Sequence, residues 1–349
     1  MNRKKIMIGD KEVKVPVFQG GMGVGISLSG LASAVVREGG VGVISSAQIG
    51  FKEPDFDKNL VEANYRALRN EIRKAKENAN GGIIGVNAMV AGRNYEDIVK
   101  ICVEEEVDII ISGAGLPVKL PSLVEGSNVK IAPVVSSDRA LEVIVKLWKK
   151  KNRVPDAVIV EGPKAGGHLG FGREELDNIE EYDIKNIFEK VKAKMQELEI
   201  DCPVVVGGGV YSKEEIKRVL DFGADAVQIG TRFVTTEECD ADVKLKEAYV
   251  NAKEEDLVII KSPVGMLGRA IKNKLVERVE KEGRIAPTKC YACVSKCKPA
   301  EAPFCLTRAL INAAEGNIDE ALLFAGTGAI NATKIEKVSD IMNEVKEVM

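Results

Sequence analysis

Short runs of valine and isoleucine alternate with longer stretches of mixed apolar and polar residues between residues 15 and 230. Because the short runs are apolar almost without interruption, we expect strands buried on both faces, as in a parallel sheet. The predicted strands cover residues 15–19, 41–45, 83–87, 108–112, 130–134, 157–161, 203–207 and 226–230, with helices over 57–78, 95–106, 137–151 and 184–198 among the segments between them. Eight strands with seven crossovers predict an α/β fold, the (β/α)₈ TIM barrel.

The pattern changes after residue 232, where helix-like stretches continue without a strand repeat. The stretch 240–252 is predicted to be the closing helix of the barrel. Additional helices, packed outside or over the barrel, are predicted at 272–282, 307–315 and 334–348. There is no internal repeat beyond the alternation of strands and helices, and no flexible linker, so we expect one globular body. Residues 1–275 would form the barrel with the active site, and residues 276–349 a helical C-terminal appendage packed on it.

Composition narrows the class of partner. The chain has 349 residues, 45% hydrophobic and 5% aromatic, with a formal net charge of −3. Charges of both signs are interspersed and aromatic residues are few, which argues against a nucleic-acid partner. No apolar stretch approaches the about 18 residues of a membrane span, and residues 1–6 lack the apolar core of a signal peptide. We expect a cytoplasmic protein that acts on small molecules; its oligomeric state stays open, a homodimer being one alternative.

Glycines follow two consecutive predicted strands near the end of the repeat. The first group is Gly207, Gly208 and Gly209, and the second segment runs from Gln228 through Ile229 and Gly230 to Thr231. Free backbone N–H groups at adjacent strand ends, beside a helix N-terminus, can bind a phosphate dianion. A (β/α)₈ barrel commonly holds a cofactor phosphate at this place. The alternative is that these glycines only make tight turns.

The only histidine, His168, lies in a glycine-rich loop after the sixth predicted strand. Strand ends of this kind carry the catalytic groups of a barrel enzyme. An imidazole takes or gives a proton near neutral pH, so His168 is the candidate general base or acid. A histidine without any catalytic role is the alternative.

Five ordered motifs between residues 15 and about 275 resemble the nitronate monooxygenase family, whose superfamily also includes the flavin-dependent enoyl-acyl-carrier-protein reductase II. The motifs are Gln19 to Gly23, Val86-Asn87, Ala165 to His168, Gly207 to Gly209 and Gln228 to Phe233. The resemblance implies an FMN-bearing (β/α)₈ barrel, in agreement with the strand count.

The resemblance also implies roles for single residues. His168 corresponds to the catalytic base of the family. Gly209 and the segment Gln228 to Thr231 would hold the FMN phosphate, and Asn87 would contact the flavin or its ribityl chain. The cofactor-binding set so implied is Gly21 and Met22, which would line the isoalloxazine, with Asn87, Lys164, Gly167, Gly207, Gly208, Gly209, Gln228, Ile229, Gly230 and Thr231.

Lys164 departs from the family pattern, because many members have a glutamate before the Ala165 to His168 motif. A cation here can pair with the FMN phosphate or lower the proton affinity of His168. Alternatively, Lys164 is a solvated lysine of the loop. The substitution leaves the exact substrate less well defined.

The expected activity is FMN-dependent oxidation of alkyl nitronates with O₂ to a carbonyl compound and nitrite. The first alternative is an enoyl-thioester reductase that uses NAD(P)H, although no G-x-G-x-x-G fingerprint indicates a separate dinucleotide domain. The phosphate turns also resemble IMP dehydrogenase, but that enzyme needs a cysteine on the loop where this chain has His168. A non-catalytic FMN sensor or electron-transfer module would need the phosphate turns and not His168.

Four of the seven cysteines form a cluster with the spacing C-x₂-C-x₃-C-x₇-C: Cys290, Cys293, Cys297 and Cys305. In a cytoplasmic protein such clustering points to metal thiolates before disulfides. The first three spacings resemble the iron–sulfur segment that follows the flavin barrel in the 2,4-dienoyl-CoA reductase family. An iron–sulfur cluster, a zinc ion and unligated, partly buried thiols are the three alternatives.

Overall fold

Eight parallel strands close into a barrel in which neighbours in the chain are neighbours in space, and the eighth strand pairs with the first. The computed structural model describes residues 5–349, so most of the charged start of the chain lies outside the described residues. The barrel strands are β1 (Val17–Gln19), β2 (Val41–Ser45), β3 (Ile83–Met89), β4 (Ile109–Gly113), β5 (Lys130–Val135), β6 (Val158–Glu161), β7 (Val204–Gly207) and β8 (Ala226–Ile229). The predicted (β/α)₈ fold is confirmed.

Side chains alternate between the inside of the barrel and the layer of helices. In β6, Ile159 packs inside the barrel, whereas Val158 and Val160 pack against the helices. An antiparallel hairpin, Ile6–Ile8 with Lys11–Val13, precedes the barrel, and its apolar side chains join the interior cluster. Because both faces of each strand are buried, the sequence of a strand is apolar throughout rather than alternating.

The helices are α1 (Ser29–Arg37), α2 (Leu60–Ala79), α3 (Tyr95–Glu104), α4 (Leu120–Leu123), α5 (Asp138–Lys149), α6 (Arg173–Asp177), α7 (Ile184–Glu197), α8 (Lys213–Asp221), α9 (Thr231–Val234), α10 (Val243–Val250), α11 (Lys274–Glu282), α12 (Leu306–Ala314) and α13 (Val338–Lys346). The predicted start of α5 is confirmed, since the Ser137 hydroxyl accepts a hydrogen bond from the Ala140 N–H at 3.2 Å. No helix among residues 5–349 is both long enough and apolar enough to cross a bilayer.

The helix that closes the outer layer is α13, so the prediction that residues 240–252 close the barrel was wrong. α13 packs between α1 and α8, whereas α10 packs against α9 and a short 3₁₀ helix, Thr327–Asn331. The buried Arg232, just after β8, holds α13 by ion pairs with Glu336 at 2.8 Å and Glu344 at 2.7 Å. These long-range charge contacts, together with the buried Ile341, Met342 and Val345, place the last helix of the chain in the barrel wall.

The tail also contains strands that the sequence pattern did not predict. Leu257–Lys261 pairs with Leu267–Ile271, which in turn pairs with Leu323–Phe324 and with the two-residue strand Gly167–His168. The last pairing joins the tail to the loop after β6. The proposed division of the chain at residue 275 stays a prediction.

Candidate active site

A cavity of about 280 Å³ lies at the C-terminal ends of the barrel strands. Its floor follows from the alternation of side chains, because inward-facing residues near the ends of six of the eight strands point up into it. These floor residues are Ser45, Asn87, Gly113, Val134, Glu161 and Gln228. The side chains of Asn87, Glu161 and Gln228 make no hydrogen bond to another residue within the described part of the chain. Three polar groups are therefore available to a ligand.

Ten of the twelve predicted cofactor-binding residues line this cavity: Gly21, Met22, Asn87, Lys164, Gly167, Gly208, Gly209, Gln228, Gly230 and Thr231. The other two, Gly207 and Ile229, do not line the cavity. Ile229 packs outward among the helices, and Gly207 ends β7, where its carbonyl accepts the Gly162 N–H at 2.9 Å. The structure brings the predicted residues together, and their roles toward a cofactor stay predictions.

The turn after β7 presents free backbone amides. Gly208 has φ +83°, and a Cβ there would lie 2.5 Å from the Gly162 carbonyl oxygen, so only glycine allows this close approach. Within residues 5–349, nothing accepts the N–H groups of Gly208, Gly209 or Gly230. Amides without an acceptor at adjacent strand ends form the anion-binding arrangement expected for a phosphate.

The start of α8, in contrast, is already occupied by an acidic side chain. The Glu215 carboxylate accepts hydrogen bonds from the Tyr211 and Ser212 N–H groups at 2.9 and 2.8 Å, and the Ser212 hydroxyl caps the Glu215 N–H. This capping box satisfies the N–H groups of Ser212 and Glu215, and it places a negative charge at the start of the helix. A phosphate in the cavity would therefore meet the glycine turns rather than the end of the helix.

His168 is held by the strands of the tail. It pairs with Gly268 in the neighbouring strand, and its Nε2 lies 2.6 Å from the Oγ of Ser262. The Phe324 ring packs edge-on against the imidazole, with 5.0 Å between centroids. Burial lowers the pKa of His168 to about 4, so the ring is neutral near pH 7. Sequence reasoning missed Ser262 as a site residue, because it lies 94 residues after His168 in the sequence.

Arg269 fixes the loop that leads to His168. Its guanidinium donates hydrogen bonds to the carbonyls of Pro163 at 2.7 Å and Ala165 at 2.6 Å. On the other side, a Cβ at Gly166 would lie 2.4 Å from the backbone of Ala325. The loop is clamped between two segments of the tail, which explains why the motif contains glycine at this position.

Glu161, directly before this loop, is the only acidic side chain that lines the cavity within the described part of the chain. Burial raises its pKa to about 7, so the carboxyl is protonated about half the time near neutrality. The sequence reasoning recognised the strand end and did not assign Glu161 a role. The alternation along β6, with Ile159 inward, is the pattern that identifies it.

Lys164 is exposed and lines the cavity beside the turn after β7, where a Cβ at Gly209 would lie 2.9 Å from the Lys164 Cβ. The shift of the His168 pKa is due to burial, and Lys164 does not contribute to it. The pairing of Lys164 with an anion in the cavity stays a prediction.

The segment from Phe324 to Gly328, which contains Ala325, also covers the cavity. The Gly326 N–H donates to the Thr231 hydroxyl at 3.0 Å, and the Thr327 N–H donates to the Lys164 carbonyl at 3.1 Å. Gly326 and Gly328 line the cavity as well. Sequence reasoning missed this segment, although its Gly-Thr-Gly triplet is the kind of turn that approaches a ligand closely.

The geometry can be compared with known proteins. The sequence profile described as nitronate monooxygenase matches residues 4–347. The chain belongs to the nitronate monooxygenase family. It is therefore an enzyme, an oxidoreductase of the FMN-dependent type.

Individual relatives of this family member are distant. A probable nitronate monooxygenase of Staphylococcus aureus (strain Newman) is 25% identical over 297 residues, which cover 78% of this chain and 80% of that protein. The structure of FabK from Thermotoga maritima is 26% identical, with a TM-score of 0.73 over 96% of this chain and 93% of that one. A nitroalkane oxidase from Streptomyces ansochromogenes, 18% identical with a TM-score of 0.74 over 96% and 95% of the two chains, shares the fold.

The predicted metal ligands of this nitronate monooxygenase-family chain do not form a metal site, so the predicted iron–sulfur cluster is not supported. Within residues 5–349, no group of three or more His, Cys, Asp or Glu side chains is placed to hold a metal ion. Cys293 and Cys305 instead pack against an apolar cluster that contains Phe51 and Tyr291. Burial raises the pKa of the thiols of Cys297 and Cys305.

Proposed function

We propose that the chain is an FMN-dependent nitronate monooxygenase that oxidises alkyl nitronates with O₂ to a carbonyl compound and nitrite. The observation that carries the proposal is a neutral His168, held by Ser262 at the wall of a cavity lined by glycines and free amides. Membership of the family supports the same reaction class.

The cavity fits the chemistry of FMN. The free amides of Gly208, Gly209 and Gly230, with the exposed Lys164 beside them, would hold the phosphate. Asn87 and Gln228 on the floor offer amide groups to the polar edge of the ring. When bound, FMN supplies the two-electron oxidation of the substrate and the reaction with O₂. The protein orients the substrate and controls its charge.

His168 would bind the substrate in its anionic form, the nitronate. A base whose pKa is about 4 removes protons weakly near pH 7, because proton transfer to it is uphill. A neutral imidazole still donates and accepts hydrogen bonds. We therefore assign His168 to holding and polarising the anionic nitronate, rather than to deprotonating the neutral nitroalkane. The enzyme should prefer nitronates over the parent nitroalkanes at neutral pH.

A second candidate is reduction of an enoyl thioester with NAD(P)H. It is favoured by Glu161, because a carboxyl with a pKa of about 7 can donate a proton to a reduced substrate inside the cavity. The likeness to FabK from Thermotoga maritima, at 26% identity, also supports it.

Two assays separate the candidates. The protein as purified should show flavin absorption near ~370 and ~450 nm, and should consume O₂ with ethylnitronate. Oxidation of NADH that depends on crotonyl thioester, without O₂ uptake on nitronates, would reject the monooxygenase and support the reductase. A colourless protein that FMN does not reconstitute would reject both.

A further inference from the structure

A second cavity of about 80 Å³ lies beside the first. The two cavities share four lining residues: Ala47, Met89, Leu306 and Leu310. The second cavity extends from these residues toward α2, α3 and the cysteine segment, where Leu60, Ile98 and Val294 line it. Because the same four side chains line both cavities, they form the partition between the active site and this side branch.

The polar groups in the wall of the second cavity are largely occupied. The Ser46 hydroxyl donates to the Asn87 carbonyl at 2.8 Å, and the Tyr95 hydroxyl bonds to Ser112 at 2.9 Å. Asn64 accepts the Gly50 N–H at 2.8 Å and donates to the Leu60 carbonyl at 2.9 Å. The branch therefore offers a ligand mainly apolar surface. Arg93, which is exposed, has no hydrogen bond from its side chain within residues 5–349.

The residues between the two cavities can adapt to a ligand. Met89 has an unbranched, flexible side chain that fills irregular gaps and moves aside at small cost. Leu310 is only half-buried. Both line the active-site cavity as well as the branch. A linear apolar group can follow this path, whereas a bulky branched group would need a larger displacement of these side chains.

We propose that the second cavity receives the unbranched alkyl tail of the substrate, whose reacting end lies beside His168. This proposal rests on the proposed function for the reacting end, and it assigns the substrate class as straight-chain alkyl nitronates rather than the shortest ones. Each buried methylene is worth about a fourfold gain in binding. The gain continues until the branch is filled.

Steady-state kinetics on primary nitronates of increasing length test the proposal. We expect kcat/KM to rise about fourfold per methylene from ethylnitronate toward octylnitronate, until the branch is full. Thr307 is buried and lines only the second cavity, so the variant Thr307→Phe should fill the branch. In this variant, the ratio of kcat/KM for octylnitronate to kcat/KM for ethylnitronate should fall toward one. Leu60→Ala should shift the optimum to longer chains. Leu116→Ala, at an exposed leucine outside both cavities, is the matched control and should leave the ratio unchanged.

A binding measurement separates this proposal from the proposed function. Calorimetric titration of the protein as purified with 1-butanol, 1-hexanol and 1-octanol needs no turnover. We expect the affinity to rise with length, and to rise less in Thr307→Phe. If the affinity rises while no nitronate is oxidised, the subsite stands and the monooxygenase proposal fails. If nitronates are oxidised with no dependence on length in either experiment, the subsite is rejected. Thermal unfolding checks that each variant is folded, and Leu60→Ala carries the test where Thr307→Phe does not fold.

Discussion

The Nε2 atom of His168 lies 2.6 Å from the Oγ atom of Ser262. The histidine comes from the loop after β6, and the serine comes from the turn between the strands Leu257–Lys261 and Leu267–Ile271. Ser262 is almost fully buried, at 2% exposure, so the contact is shielded from water. The hairpin that follows the barrel therefore sets the orientation of the candidate catalytic ring.

Replacing Ser262 by alanine should lower kcat/KM for ethylnitronate roughly fivefold to tenfold, the worth of one neutral hydrogen bond. The loss follows because the imidazole is no longer held in one orientation, while FMN binding is expected to stay unchanged. The measurement is O₂ uptake, together with FMN affinity from the quenching of flavin fluorescence.

A double-mutant cycle with His168→Ala controls for indirect effects of the serine variant. If Ser262 acts through the imidazole, Ser262→Ala should have little further effect when His168 is already alanine. Additive losses in the two variants would instead mean that Ser262 contributes independently of the ring.

The pKa of His168 can be measured directly, because it is the only histidine in the chain. We expect its ring-proton NMR signal to titrate with a midpoint near pH 4, because burial disfavours the imidazolium. The unfolded chain takes up this proton near pH 6.5. The folded form therefore loses stability as pH falls from about 6.5 toward 4, and His168→Gln should remove that part of the pH dependence of Tm. A midpoint near 6.5 would contradict a buried, neutral ring.

The barrel was predictable from the sequence because each strand is buried on both faces. A run such as Val204 to Val206 then has no polar position, and its length and the glycines that follow identify it. The cavity was predictable for the same reason, since the ends of parallel strands meet at one edge. His168 and Gly209 could be brought together by counting strands alone.

The tail was not predictable in the same way, because its contacts are long-range. Arg232 pairs with Glu336 and Glu344, more than 100 residues away, and these pairs, together with the buried apolar face of α13, place that helix in the wall of the barrel. Ser262 reaches His168 through a hairpin whose first strand is only half-buried, so its sequence lacks the pattern of a core strand. The spacing of the four cysteines is compatible both with metal ligands and with thiols packed on apolar residues, so it does not distinguish the two.

The ionisation of Glu161 should oppose FMN binding as pH rises. Its carboxyl becomes charged through about pH 7, which adds a negative charge to the cavity expected to hold a phosphate. We expect FMN to bind Glu161→Gln and wild type equally at pH 6, and to bind Glu161→Gln about fourfold more tightly at pH 8. Comparing the two proteins at each pH cancels the titration of FMN itself.

The same carboxyl of Glu161 should make the folded chain less stable as pH rises. Its pKa in the folded chain, about 7, lies above the ordinary value of 4.5, so the unfolded chain loses the proton first. Folding is therefore disfavoured progressively as pH rises from about 4.5 to 7, and Glu161→Gln should flatten Tm over that range in FMN-free protein. An unchanged pH profile in the variant would show that Glu161 is ionised with a normal pKa.

Lys164→Glu places at the loop the residue type that many family members carry. Reversing the charge beside the Gly208–Gly209 turn should weaken FMN binding on the order of tenfold at low salt, because an attraction to the phosphate becomes a repulsion. The effect should shrink at high salt, since the lysine is exposed and its field is screened. Lys190→Glu, the same change on an exposed lysine outside the cavity, is the matched control and should leave the FMN affinity unchanged. Equal affinities in all three proteins would identify Lys164 as a solvated loop residue, and the glycine-turn amides alone would then account for phosphate binding.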